Sequence, residues 1–206
     1  MAGFVQTGLR LARLFAAPHL VPGRGIHRSG FRAKGDPMDP SREVGEATRE
    51  DVKQGSGEAA PRLGPEHQRL EVFVGEWKAE GVLGEASGPH AQAKATAVDR
   101  YEWLPGGFFL SCRGVMHFAE ERLESTRIIG FDAERQRYRM HLFDNSGYAR
   151  VYEGGEQDGV WKFAGAHERV TMSFANGDQR MDIHWEQSDD GTTWRPLCDL
   201  RATRVH

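Results

Sequence analysis

The stretch Leu70-Glu71-Val72-Phe73-Val74-Gly75-Glu76-Trp77 changes its period part-way along. Leu70, Phe73 and Val74 recur at spacings of three and four, which predicts a short helix over 66–74 with one apolar stripe. Gly75 suits a left-handed cap at its end. From Trp77 onward apolar and polar residues alternate with period two, the signature of half-buried strands.

Ten strands are predicted, over 77–83, 92–104, 108–118, 125–131, 136–144, 148–153, 159–164, 168–175, 179–187 and 193–204. The segments between them are short and rich in turn formers: Pro105-Gly106-Gly107, Asp132-Ala133-Glu134-Arg135, Asn145-Ser146-Gly147, Gly154-Gly155, Asn176-Gly177-Asp178 and Asp189-Asp190-Gly191. Loops this short join antiparallel neighbours. A meander of this kind leaves two exposed edges unless its first and last strands meet, so closure is the economical solution. The expected fold class is all-β: an antiparallel up-and-down barrel of about ten strands with a short N-terminal plug helix. More than about eight strands leaves room inside for a ligand.

With the more apolar face of each strand turned inward, the lining comprises Tyr101 and Trp103; Phe108, Leu110, Cys112 and Met116; Tyr138, Met140 and Leu142; Trp161 and Phe163; Val170, Met172 and Phe174; Met181, Ile183 and Trp185; Trp194, Cys198 and Leu200. Tyr101, Trp103, Met116, Tyr138, Met140, Met172 and Trp185 are the candidate ligand-binding residues. Methionine adapts its shape, and Tyr or Trp adds a polar edge to an apolar wall. The competing reading is that these side chains simply fill the barrel.

Residues 1–65 form a different material, expected to be a disordered extension preceding a barrel domain over 66–206. Met1 to Lys34 carries six basic residues and no acid, with Phe4, Leu11, Leu14 and Phe15 on one helical face, as in a mitochondrial presequence. The alternative favoured here is that translation starts at Met38, which makes the protein cytoplasmic. The segment 36–65 is rich in Gly, Ser, Glu, Asp and Pro and lacks the large apolar side chains that offset ordering entropy.

The 206 residues carry a formal charge of -3, which argues against a nucleic-acid partner or a membrane-surface protein. No run of eighteen apolar residues exists, so a membrane-spanning helix is not expected. The two cysteines, Cys112 and Cys198, lack metal-type spacing and read as buried free thiols. His117, His141 and His184 fall on the more polar strand faces, and no HExxH or His-x-His spacing occurs. Glu102, Asp144, Asp182 and Asp199 are the acids that an interior site would draw on, while Arg113, Arg137 and Arg139 are expected to pair across strands. Nothing in this pattern calls for a cofactor, metal or catalytic residues.

Leu70-x-x-x-Val74-Gly75-x-Trp77, Trp103-Leu104-Pro105-Gly106-Gly107-Phe108-Phe109-Leu110, Ile129-Gly130-Phe131-Asp132 and the closing Asp199-Leu200-Arg201-Ala202-Thr203-Arg204 together resemble the mainly bacterial family known as domain of unknown function 1579, over roughly 67–204. The resemblance implies a calycin-like, lipocalin-like barrel of the kind that carries small hydrophobic ligands. It also implies that Trp77 packs at the closed end beneath Arg201 or Arg204. The resulting expectation is a soluble barrel that binds a small hydrophobic or amphipathic ligand and is not an enzyme. An enzyme using the cavity and a haem-binding barrel of nitrobindin type are the alternatives, and a homodimer stays open.

Overall fold

A computed structural model describes residues 61–205. The expectations for residues 1–60, including the presequence, the start at Met38 and most of the extension, lie outside the described residues. Among those described, no helix is long and apolar enough to cross a membrane.

Helix α1 (Pro65–Arg69) runs into a 3-10 turn (Leu70–Phe73), followed by β1 (Gly75–Leu83), a second 3-10 segment (Glu85–His90), β2 (Lys94–Trp103), β3 (Phe109–Phe118), β4 (Glu121–Asp132) and β5 (Arg137–Asp144). Then come β6 (Ala149–Gln157), β7 (Val160–Ala164), β8 (Glu168–Ala175), β9 (Arg180–Gln187) and β10 (Arg195–Val205). Every strand pairs antiparallel with its sequence neighbours, and β1 pairs with β10, so the ten strands close into the expected barrel. Closure removes the free edges that a meander would otherwise expose.

Three local expectations need correction. The helix is not continuous to Val74: α1 is a single short turn, the 3-10 turn stops at Phe73, and Val74 is already extended. Gly75 has φ +119° but opens β1 rather than capping a helix. Gly154-Gly155 is not a turn; it lies inside β6, and the chain reverses at Asp158-Gly159, whose φ values of +54° and +76° suit a tight hairpin. At Gly154 the strands approach so closely that a Cβ would sit 1.8 Å from the Lys162 carbonyl oxygen, whereas at Gly155 a Cβ would meet nothing within 4 Å. Gly154→Ala is therefore expected to cost about 1–3 kcal/mol by overpacking, and Gly155→Ala clearly less, as read from urea unfolding midpoints.

The third correction concerns Trp194, which lies before β10 rather than in the lining; the Arg169 guanidinium stacks on it at 4.4 Å. A register shift between Pro196 and Cys198 breaks the alternation, so that Leu197 and Cys198 are both buried. Parity counted backward from Cys198 fails across such a bulge.

The first and last strands meet at the plugged end. Trp77, 1% exposed, donates from Nε1 to the Phe73 carbonyl at 2.7 Å. Arg204, not Arg201, lies over its ring at 4.4 Å and donates to the carbonyls of Val72 (2.8 Å) and Val74. Phe73 projects from the plug against Tyr101, Trp161 and Phe174. Tyr138 fastens α1 by donating its hydroxyl to the Glu66 carbonyl at 2.8 Å. Rings packed edge to face contribute beyond the area they bury. Buried aromatic rings pack this half of the barrel.

Candidate functional site

The opposite half is different. β1 runs from Trp77 at the plug to Leu83, so the turn Glu85–His90 lies at the far end, pinned to β10 by the Ser87 hydroxyl donating to the Leu197 carbonyl at 2.7 Å. Beneath this end lies a cavity of about 70 Å³, partly open to solvent. Its apolar wall includes Met116, Leu123, Leu142, Ile183, Trp185 and Leu200. A cavity that size holds a few waters or a small molecule, and is well below the roughly 300–1,000 Å³ that encloses drug-sized ligands.

Much of the rest of the wall is polar, five of its side chains charged, in contrast to the aromatic and methionine-rich lining expected from parity. Asp99, Ser125, Arg127, Asp144, Arg150, Tyr152 and Glu168 all face the cavity. The strand register shows how they come together. Asp99, Gly114, Ser125 and Asp144 are successive cross-strand partners on β2 to β5, and Arg127, Leu142 and Arg150 are successive partners on β4 to β6. A row of carboxylates thus runs beside a row of guanidiniums. Arg127 pairs with Asp99, both side chains 12% exposed, and Arg150 reaches Asp144 at 2.8 Å. Gly114 makes room for the first pair, since a Cβ there would lie 2.3 Å from Asp99 Oδ1 and 2.7 Å from Arg127 Nη2.

Burial opposes the Arg127 charge, yet Asp99 beside it holds the guanidinium protonated, with its pKa above the ordinary value. Tyr152 donates to Glu168 Oε2 at 2.5 Å and, like Tyr101, is pushed up by burial, so neither phenol is a base near neutral pH. Burial likewise raises the Cys112 thiol and pushes Cys198 up to about 12, leaving both as unreactive thiols.

Burial raises the Glu168 carboxyl above its ordinary 4.5, with Arg150 acting in the opposite sense. The folded state then keeps this proton to higher pH than the unfolded chain. The contribution of Glu168 to stability therefore declines as pH rises from about 4.5 through the folded pKa. Wild-type Tm is expected to fall relative to Glu168→Gln across that window in a pH series of thermal melts. A gap that stays constant with pH would contradict it.

The seven residues singled out by sequence divide between the two halves. Met116 and Trp185 line the cavity. Tyr101 bridges the halves, its ring stacked on Phe73 and its hydroxyl 3.4 Å from Arg127 Nη1. Trp103 donates to Glu71 at 2.8 Å and Tyr138 to Glu66, both at the plug, while Met140 and Met172 are buried in the packed core.

Of the four acids considered for an interior role, only Asp144 is inside. Asp182 pairs with Arg201, Asp199 with His184 on the outer face, and Glu102 is exposed. Sequence reasoning missed Asp99, Arg127, Arg150, Tyr152 and Glu168. The signal was there: Asp99 shares parity with Tyr101, Arg127 with Ile129, and Glu168 with Val170 and Met172. Among the described residues no histidine lines the cavity, so its donor set and size do not fit a histidine-ligated haem.

The described residues thus form a closed ten-stranded antiparallel barrel, plugged at one end by the turn that precedes β1 and holding a cavity towards the other. The chain belongs to the family described as "Protein of unknown function (DUF1579)", which matches residues 62–193. No curated protein matches the sequence. Among solved structures, Rv2717c from M. tuberculosis is 13% identical and shares the fold, with 70% of this chain and 100% of that chain covered at a TM-score of 0.52. The S-type phycobiliprotein lyase CPES from Guillardia theta is 8% identical, with 68% and 92% covered at 0.42. A de novo designed fluorescence-activating β-barrel is 12% identical, with 66% and 96% covered at 0.39.

Proposed function

We propose that this protein binds a small amphipathic molecule in the hollow half of its barrel. The observation that carries the reading is the split wall of the cavity: Met116, Leu142 and Trp185 on one side, and the Asp99–Arg127 and Asp144–Arg150 pairs on the other. Buried ion pairs cost desolvation that apolar packing would avoid, and a solid core needs none of them. Ligand pockets, by contrast, combine an apolar wall with a few placed polar groups that fix orientation. The ligand, or the part of it that enters, is small, in keeping with a cavity of about 70 Å³.

Ligand-observed NMR with a library of small amphipathic fragments tests this. Binders are expected for the wild type and not for Leu142→Trp, which fills the cavity, once circular dichroism has shown that the variant is folded. A library with no binder, or binding that survives the filling substitution, would overturn the proposal.

One observation favours a second reading: Tyr152 and Glu168 converge in the same cavity, as titratable groups do in active sites. On that reading Glu168 delivers or accepts a proton on a bound substrate. Fragment binding retained in Glu168→Gln, together with loss of any turnover found for the wild type, would select it.

A further inference from the structure

The cavity wall is unbalanced in charge. Among the described residues it carries three carboxylates, Asp99, Asp144 and Glu168, against two guanidiniums, Arg127 and Arg150. Arg127 is matched to Asp99, and Arg150 lies closer to Asp144 (2.8 Å) than to Glu168 (3.6 Å). Glu168 is therefore the supernumerary acid. Its side chain is 5% exposed, and the hydroxyl that donates to it, from Tyr152 at 2.5 Å, is neutral. A carboxylate withdrawn from water without a full countercharge is costly, and a cation beside it relieves that cost. The neighbouring wall suits a cation as well: the Trp185 and Tyr152 rings meet edge to face at 5.6 Å, and the faces of Trp and Tyr attract positive charge.

We propose that the ligand is a small apolar monocation, an aliphatic or aromatic amine, with its ammonium against Glu168 and its hydrocarbon part against Met116, Leu142 and Trp185. This rests on the ligand-binding reading above and adds the sign of the ligand's charge to it. The same count opposes a carboxylic acid, which would bring a fourth carboxylate to a wall already in excess.

Three probes of one shape make the test: benzylamine, benzyl alcohol and benzoate, each titrated into the full chain near neutral pH and followed by ligand-observed NMR. Benzylamine is expected to bind at least about tenfold more tightly than benzyl alcohol, and benzoate most weakly. In Glu168→Gln the ratio of benzylamine to benzyl alcohol affinity is expected to fall to near one, whatever the variant does to the alcohol's own affinity; the wild-type series stands as a test even if that variant does not fold. Equal binding of amine and alcohol, or tighter binding of benzoate, overturns the cation while leaving a ligand-binding cavity. Failure of all three probes to bind overturns both.

Discussion

Replacing Trp77 by alanine is expected to lower the unfolding free energy by about 3–5 kcal/mol, the cost of removing a fully buried large aromatic. Much of a typical domain's net stability is of that order, so the variant should unfold at far lower urea or fail to accumulate. The size of the effect follows from what Trp77 joins. Its indole N–H satisfies the Phe73 carbonyl, its ring packs against Phe174 at 5.9 Å, and Arg204 covers it while tying the carbonyls of Val72 and Val74. Losing the ring thus loosens the plug and the closing strand pair together. Arg204→Lys keeps the charge but not the forked geometry, so it should be destabilised by less than Trp77→Ala yet measurably. An effect of Trp77→Ala below about 1 kcal/mol in urea unfolding would contradict this account of the closed end.

Arg127→Met should be nearly as damaging, by about 3–5 kcal/mol, because it leaves Asp99 enclosed without its countercharge. The paired substitution Asp99→Leu with Arg127→Met is expected to recover most of that loss, since apolar residues of similar volume replace buried ion pairs at little or no cost. Urea unfolding of the two single variants and the double variant gives the coupling directly. If the double variant were as unstable as the sum of the singles, Arg127 and Asp99 would not be acting as a pair. Recovery of stability with loss of fragment binding would mean that the pair is kept for the cavity rather than for the fold.

The parts of the barrel that were legible in the sequence are those where one face meets the core and the other meets water. The segment 168–175 was bounded correctly because Val170 and Met172 alternate with Thr171 and Ser173 without interruption. The meander order followed from loop length alone, and β1 meeting β10 followed from the cost of open edges. What escaped was local geometry that alternation does not encode. The bulge before Cys198 shifted the face of everything upstream, so Trp194 was misplaced. The two glycines of β6 read as a turn, although Gly154 is there because a strand passes within 1.8 Å of where its Cβ would be.

The candidate site was half legible for a related reason. Met116 and Trp185 could be placed by parity, because an apolar residue on an apolar face raises no conflict. Arg127, Arg150 and Glu168 lie on the same inward faces, but a charge is expected to seek water, so parity of the apolar residues does not point to them. It is that conflict, a charged residue at an inward position of an otherwise apolar strand, that marks the hollow half of the barrel. Buried charges persist when they are paired or when something else is meant to meet them, and only the three-dimensional register shows which partners are present.

The central claim, that the hollow half of the barrel is a binding site, is met most directly by native mass spectrometry of the full chain isolated from its own cells, beside a Leu142→Trp variant expressed there. The account predicts that the wild type carries an added small mass, released on collisional activation, and that the filled variant does not. A bare wild-type mass under conditions that preserve the fold, or the same added mass on both proteins, would contradict it.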